Sequence, residues 1–250
     1  MSRLRLDVAL VERGLMPTRA RARDAIARGT VTVDGRVETK ASAGVTPEAV
    51  LAVDDPAAAW VSRSALKLAG ALDAFGLSPE GRSCLDVGAS TGGFTQVLLA
   101  RGAARVTAID VGHGQLAPIL LDDPRVTSIE GLNARDLGPD HLAAAPDFVV
   151  ADVSFISLAL ALPPALDLAA PGAIGVFLVK PQFEVGREHV GKGGLVKDEA
   201  AAAAAVERIA ELVAAHGWRV IGRVASSLPG GDGNREHLLA AEKPAAPPAR

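Results

Sequence analysis

A glycine-rich stretch, SCLDVGASTGGFT at residues 83–95, constrains the fold of this 250-residue chain most strongly. Its apolar first half predicts a buried strand, and its glycines, Gly88, Gly92 and Gly93, predict a tight turn. A helix is expected to begin at Phe94. A strand, a glycine turn and a helix in this order are typical of a nucleotide-like ligand site at the carboxyl edge of a parallel sheet. An ordinary tight turn would show the same local pattern.

The spacing of these glycines separates the possible cofactor classes. The pattern G-x-x-x-G-G differs from the G-x-G-x-x-G of dinucleotide enzymes, and the absence of a following Gly-Lys-Ser/Thr excludes a P-loop. Asp86 lies two residues before the first glycine, where a carboxylate repels a pyrophosphate but suits a cation. S-Adenosylmethionine carries a sulfonium and an ammonium group. The stretch therefore predicts an S-adenosylmethionine site.

The rest of the chain after this stretch alternates strands with helices. Further strands are predicted at 106–109, 126–130, 148–153, 174–179, 220–226 and 236–241. This order predicts an α/β fold, a Rossmann-like methyltransferase domain with a doubly wound, mostly parallel seven-stranded sheet. The closing hairpin of the last two strands favours the methyltransferase sheet over that of a dinucleotide dehydrogenase.

Cofactor contacts are expected at the strand ends and in the glycine turn. An acid at the end of the second strand, here Asp110, typically binds ribose hydroxyls, and Asn133 or Asp136 is expected to meet the adenine. The predicted cofactor-binding residues are Asp86, Gly88, Ala89, Ser90, Thr91, Gly92, Gly93, Phe94, Asp110, Asn133 and Asp152.

The first 59 residues predict a separate small α+β unit. Two short helices are followed by VTVDGRVE, which alternates apolar and polar residues around the hairpin dipeptide Asp34-Gly35. Residues 1–40 carry nine Lys or Arg against five Asp or Glu, although the whole chain has a net charge of -3. This asymmetry is what a phosphate-contacting module would show, whereas a solvated basic helix on a capping domain is the alternative.

The segment LDVALVERGLMPTRARARDAIARGTVTVDGRV resembles the S4 RNA-binding domain. The resemblance implies that this unit, residues 3–59, binds structured RNA through its arginine-rich second helix and the following loop. The predicted RNA-binding residues are Arg3, Arg5, Arg19, Arg21, Arg23, Arg28 and Arg63.

Four charged residues occur in a chain order that indicates a catalytic role. They are Lys67 on the helix before the sheet, Asp152 and Lys180 at strand ends, and Glu236 in the last hairpin. A surface salt bridge is the alternative for each residue; taken alone it is favoured for Lys67 and competes for Glu236. The ordered set, however, resembles the Lys-Asp-Lys-Glu tetrad of RrmJ/FtsJ-type ribose 2′-O-methyltransferases. A ribose hydroxyl is a weak nucleophile that must lose its proton as it attacks. Lys180 would be the base or would orient the hydroxyl, and the carboxylates would hold the lysines.

The combined motifs SALKL, CLDVGASTGGFT, ADVSFIS, LVKPQFE and GNREHL resemble the TlyA family still more closely, over residues 4–242. That family joins an S4 domain to an FtsJ-like domain and includes proteins called haemolysins and proteins called rRNA 2′-O-methyltransferases. The resemblance implies an FtsJ-like domain at 60–242 and methylation of cytidine in ribosomal RNA, with ribosomal subunits as partners. A membrane-active haemolysin and a non-catalytic RNA-binding protein are the alternatives.

The remaining expectations concern the periphery of the chain. The segment 183–198 is rich in glycine and charge and is expected to be a lid or an RNA-contacting loop, or else a flexible connector. The single cysteine, Cys84, excludes a disulfide framework, and no signal peptide or membrane span is predicted, so we expect a cytoplasmic protein. No metal site is predicted, a monomer is favoured, and the tail 243–250 is expected to be disordered.

Overall fold

The structure, a computed structural model, describes residues 3–245. The chain divides into two compact units, Met1–Ala59 and Trp60–Arg250. The predicted disordered tail lies outside the described residues from position 246 onward.

The first unit contains two helices and five short strands. The elements are β1 (Leu4–Arg5), α1 (Leu6–Glu12), α2 (Arg19–Ala27), β2 (Val31–Val33), β3 (Arg36–Val37), β4 (Gly44–Val45) and β5 (Leu51–Val53). Strands β3, β2 and β5 form an antiparallel sheet in that order, and β1 pairs with β4. The β2–β3 turn is at Asp34-Gly35, where both residues have positive φ, as the dipeptide predicts. Thr18 caps α2 by accepting a hydrogen bond from the backbone N–H of Arg21.

A charged side chain, that of Asp7, lies in the core of the first unit. Leu6, Leu10 and Ile26 are fully buried, and so is Asp7. The Asp7 carboxylate accepts from Arg5 Nε at 2.9 Å and from Arg19 Nη2 at 3.0 Å. These guanidinium groups hold the pKa of Asp7 at about 2, below its ordinary value, because they favour the charged form.

The second unit is built on the predicted sheet. Its elements are α3 (Ser64–Phe75), β6 (Ser83–Val87), α4 (Gly93–Ala100), β7 (Arg105–Asp110), α5 (Pro118–Leu121), β8 (Val126–Glu130), β9 (Phe148–Ala151), α6 (Leu158–Ala161), α7 (Pro163–Leu168), β10 (Ile174–Val179), α8 (Pro181–Glu184), α9 (Glu199–Ala215), β11 (Arg219–Ala225) and β12 (His237–Glu242). The seven strands have the order β11-β12-β10-β9-β6-β7-β8. Strand β12 is antiparallel to both of its neighbours, and every other neighbouring pair is parallel. The predicted α/β fold is confirmed.

Helices cover both faces of this sheet. Along β6, Leu85 and Val87 face one core together with residues of α6, α7 and α9, whereas Cys84 faces the other core together with α3 and α4. This burial on both faces explains why the central strands are continuously apolar.

Two features differ from the sequence-based boundaries. Strand β9 ends at Ala151, which leaves Asp152 on the loop that follows, and β12 begins one residue after Glu236. The segment 183–198 is folded: after α8, short 3-10 turns at 187–189 and 192–194 flank Val190, which forms an antiparallel bridge with Val196.

Asp7→Asn tests the buried ion-pair cluster. The substitution leaves two guanidinium groups without their carboxylate, so we expect the free energy of unfolding of the first unit to fall by about 1–3 kcal/mol. Since the pKa of Asp7 is lowered to about 2, the wild-type contribution is complete above the unfolded-state pKa and is lost as the pH falls toward 2. Urea unfolding at pH 7 and pH 3, followed by circular dichroism, measures this. A wild-type-to-mutant difference that is equal at both pH values would contradict it.

Candidate active site

The candidate site lies along the carboxyl edge of the parallel strands. Asp110 ends β7, Asp152 follows β9, and Lys180 follows β10. Strand β12 runs antiparallel to β10 with Val179 opposite His237, so Glu236 enters the sheet at this same edge, beside Lys180.

Lys180 is held by two residues of the loop after β9. Its Nζ lies 2.6 Å from Asp152 Oδ1 and donates a hydrogen bond of 2.8 Å to Ser154 Oγ. Only 8% of Lys180 is exposed. The amine is therefore fixed in direction, which is what a group that receives or orients a hydroxyl proton requires.

Lys67 and Glu236 form a second buried pair. Lys67 is on the face of α3 that packs on the sheet, and its Nζ donates to Glu236 Oε2. Both residues are at most 5% exposed. The four residues predicted from sequence are thus brought together as two ion pairs, each of which compensates the cost of burying a charge.

The glycine turn approaches its neighbours too closely for any side chain. Gly88 has φ of +83°, and a Cβ there would lie 2.7 Å from the Asp152 carbonyl oxygen. At Gly93 a Cβ would lie 2.3 Å from Ser64 Oγ. Ser90 also has a positive φ, of 48°, which is uncommon for a residue other than glycine, and its N–H donates to Asp110 Oδ2 at 2.8 Å. The turn is therefore locked against both β7 and the loop after β9.

Asp86 is a buried carboxyl beneath this turn. It is fully buried on β6, and its Oδ2 accepts a hydrogen bond of 2.6 Å from Thr95 Oγ1. Within residues 3–245 its Oδ1 has no hydrogen-bond partner. Burial raises the pKa of Asp86 to about 7, the Thr95 hydrogen bond opposes the rise, and the charges of Asp152 and Asp110 add to it.

Two cavities meet above the turn. The larger, of about 700 Å³, is lined at its polar end by Ser90, Asp110 and Asp152, while its apolar wall includes Val111 and Ile156. This combination fits S-adenosylmethionine, because apolar side chains suit the adenine and carboxylates suit the ribose hydroxyls and the cationic methionine end. The residues that line the larger cavity therefore fit the cofactor predicted from sequence.

The smaller cavity, of about 140 Å³, extends the first toward Lys180. The two share Gly88, Ser90, Asp152 and Ser154. Of the other predicted cofactor residues, Asn133 lines the larger cavity, Ala89, Thr91 and Phe94 line the smaller one, and Asp86, Gly92 and Gly93 line neither.

The sequence did not single out Ser154, Thr95 or Phe155. Ser154 and Phe155 lie in ADVSFIS directly after a predicted strand end, which is the signal that could have identified them. Phe155 lines the larger cavity, has φ of +65° and is 93% exposed, with its ring 5.4 Å from that of Phe183. A strained backbone that holds an aromatic ring in solvent at the mouth of a cavity indicates a contact surface.

The arginines predicted to bind RNA have different surroundings. Arg5 and Arg19 are tied to Asp7 but remain half-exposed. Arg28 is 15% exposed at its side chain, and it pairs with Asp24 and, at 2.6 Å, with Asp55.

Arg21, Arg23 and Arg3 complete the set in the first unit. Arg21 donates to the Ala57 carbonyl at 2.7 Å. Arg23 is exposed and has no hydrogen bond or ion pair within the described part of the chain, and Arg3 is exposed as well. In the second unit, the Arg63 guanidinium lies against the backbone of Gly231.

Asp86→Asn tests the protonation of the buried carboxyl. The folded pKa of about 7 lies above the unfolded value, so the folded state binds the extra proton and wild-type stability falls as the pH rises from about 4 through 7. The asparagine side chain cannot ionise, so the free energy of unfolding of the variant should change less between pH 5.5 and 8.5 than that of wild type. The difference between the two changes should be on the order of 1–3 kcal/mol. Urea unfolding at the two pH values measures both proteins. If the free energies of unfolding of wild type and Asp86→Asn changed equally with pH, the raised pKa of Asp86 would be contradicted.

Comparison with known proteins identifies relatives for both units. Residues 60–243 match the family described as FtsJ-like methyltransferase, and residues 4–51 match the S4 domain. The chain is 50% identical to 16S/23S rRNA (cytidine-2′-O)-methyltransferase TlyA of Mycobacterium tuberculosis, over 95% of this chain and 89% of that protein.

Two further relatives carry the haemolysin name. Hemolysin A of Brachyspira hyodysenteriae is 38% identical, over 94% of this chain and 98% of its own length. A solved Streptococcus thermophilus structure, described as a candidate hemolysin, superposes with a TM-score of 0.77 at 38% identity, covering 99% of this chain and 90% of that one. The match to the FtsJ-like methyltransferase family confirms the predicted cofactor, S-adenosylmethionine. Two solved methyltransferase structures, at 15% and 17% identity, share the fold. The chain belongs to the FtsJ-like, S-adenosylmethionine-dependent methyltransferases of the TlyA type, which carry an N-terminal S4 domain.

Proposed function

We propose that this enzyme methylates the 2′-hydroxyl of a cytidine in ribosomal RNA, with the S4 unit docking on the RNA. The reaction and the base are those in the name of the Mycobacterium tuberculosis relative, which is similar over nearly the whole chain. The S4 domain supports an RNA substrate. The natural partner would then be a ribosomal subunit in the cytoplasm.

One observation carries the catalytic assignment. The Lys180 amine is fixed by Asp152 and Ser154 at the wall of the small cavity, which opens into the larger cavity that fits the cofactor. A ribose hydroxyl placed in the small cavity would lie between Lys180 and the methyl-bearing end of the cofactor site. This is the arrangement that an in-line displacement requires.

The bound cofactor supplies an electrophilic methyl group on a sulfonium. The ribose hydroxyl that receives this methyl group would lose its proton on the side of Lys180 and Asp152. A neutral Lys180 Nζ would accept that proton, whereas an ammonium Nζ would donate a hydrogen bond that orients the oxygen and would leave the proton to the Asp152 carboxylate. Asp152 fixes the amine, and Asp110 would bind the ribose of the cofactor.

Lys67 and Glu236 serve the reaction from a second position. Their pair is almost fully buried, and neither residue lines either of the two cavities above the glycine turn. Glu236 lies beside Lys180 through the β10–β12 register. We assign two roles to this pair: it holds the sheet edge in place, and it sets the charge distribution around Lys180.

The relatives named haemolysin do not lead to a second proposal. Among residues 3–245 no helix combines the length and apolar character that crossing a membrane demands. The catalytic cleft, in contrast, gives a specific chemical reason for the methyltransferase assignment.

Lys180→Ala tests the catalytic role. Loss of the amine removes the group that handles the hydroxyl proton, so we expect methyl transfer to fall about 10²–10⁴-fold. The assay measures radiolabelled methyl transfer from S-adenosylmethionine to ribosomal subunits lacking the modification, and nuclease mapping places the label. Arg219→Gln is the control, because Arg219 is exposed and pairs with Glu242 at the opposite edge of the sheet. Wild-type turnover by the Lys180 variant would reject the assignment, provided that calorimetry shows cofactor binding in both.

Arg23→Gln tests RNA docking by the S4 unit. An exposed arginine without a protein partner is available to a phosphate, and its loss should reduce the slope of log affinity against log salt by about 1. Filter binding of ribosomal RNA between 50 and 200 mM salt measures the slope, with Arg219→Gln again as the control. An unchanged slope would count against docking through this helix.

A further inference from the structure

We infer that Asn234 is a positioning residue that joins the segment 185–198 to the loop carrying Glu236. The inference deepens the proposed function and rests on it. Asn234 lies in the loop between β11 and β12, two residues before Glu236, and is only 2% exposed. A buried side-chain amide needs hydrogen-bond partners, and here both partners belong to the segment.

The amide of Asn234 binds two points of the 185–198 segment. Its Nδ2 donates to the Gly194 carbonyl at 2.8 Å, and its Oδ1 accepts from the Val196 N–H at 2.8 Å. Because donor and acceptor of one planar group are both used, the segment is fixed in one register. The adjacent bridge between Val190 and Val196 is thereby attached to the sheet.

The same residue closes the loop that leads to Glu236. The Gly230 N–H donates to the Asn234 carbonyl at 2.9 Å, and the Gly233 N–H donates to the Gly230 carbonyl at 3.0 Å. Gly230 is buried against the Glu236 carboxylate, since a Cβ there would lie 2.8 Å from Glu236 Oε1. Movement of this loop would therefore disturb the Glu236 side chain that holds Lys67.

A second contact ties the loop to the other side of the site. Gln182, two residues after Lys180, donates from Nε2 to Asp232 Oδ2 at 3.0 Å, and Asp232 Oδ1 accepts from the Asn234 N–H at 3.1 Å. The loop thus contacts the elements that follow Lys180 as well as the 185–198 segment. Asn234 is the central point of this network and touches none of the reacting groups itself.

The test compares wild type with Asn234→Ala and Asn234→Asp. Loss of both amide hydrogen bonds should free the segment, which contains trypsin sites at Arg187, Lys192 and Lys197. We expect cleavage there to be about 30-fold faster in the alanine variant, from two lost buried hydrogen bonds. The aspartate variant keeps the acceptor for Val196 and loses the donor to Gly194, so its cleavage should be faster than wild type but slower than alanine.

Kinetics distinguish positioning from general destabilisation. We expect kcat for methyl transfer in Asn234→Ala to fall at least about 10-fold, while the calorimetric Kd for S-adenosylmethionine stays within about twofold of wild type. Arg219→Gln should match wild type in cleavage and in kcat.

Wild-type trypsin resistance of the segment in Asn234→Ala, or an unchanged kcat, would overturn the inference. A weakened cofactor Kd in step with kcat would overturn it too, because that result indicates a general structural role. If the wild-type enzyme transfers no methyl group to ribosomal RNA, the proposed function fails. The rate of tryptic cleavage then still decides whether Asn234 holds the segment.

Discussion

The antiparallel pairing of β12 with β10 is the constraint on which the candidate active site depends. Four parallel strands bring Asp86, Asp110, Asp152 and Lys180 to one edge, as the chain direction requires. A further parallel strand would begin at the opposite edge. Because β12 runs the other way, its first residue lies opposite the last residue of β10. Glu236, which precedes β12, therefore lies beside Lys180. Helix α3 packs on this hairpin and supplies the partner lysine.

Charge compensation explains why the four polar residues occur as two pairs. A buried charge without a partner is strongly destabilising, whereas a pair with good geometry is tolerated. Lys67 with Glu236 and Lys180 with Asp152 meet this requirement. Asp86 is the exception, because Thr95, which binds it, is neutral and its second oxygen has no protein partner in the described residues. A carboxyl in that state has its pKa raised, and a cationic ligand above the glycine turn would favour its ionised form.

Local patterns in the sequence predicted the sheet, the glycine turn and the ordered tetrad, because periodicity and strand-end chemistry are properties of short segments. No local pattern indicates the Asn234 network, because its partner atoms are backbone groups 38 and 40 residues away, which any residue type supplies. It also could not show the β1–β4 pairing, since strands of two residues have no periodicity. The hydrogen bond of Ser154 to Lys180 depends on where β9 ends, and that boundary was placed two residues too late.

For the basic N-terminal unit, too, the sequence predicts only part of what the structure shows about charge. Composition gives an excess of cations, but it does not say which of them are neutralised within the fold. Asp7, Asp24 and Asp55 take up part of the charge of Arg5, Arg19 and Arg28, and the partly buried Arg28, with two carboxylate partners, is the most completely compensated.

The positive electrostatic potential that this unit could offer to RNA is therefore weaker than the count of arginines suggests. It is concentrated on residues such as Arg23, which no carboxylate in the described chain binds. Arg19 is intermediate, since 58% of its side chain is exposed while one nitrogen binds Asp7. A phosphate that approaches Arg19 would share that guanidinium with a buried carboxylate. If the S4 unit docks on RNA as proposed, the ion pair that stabilises the unit also orients a half-exposed cation for phosphate binding, and the stability of the small core is coupled to that binding.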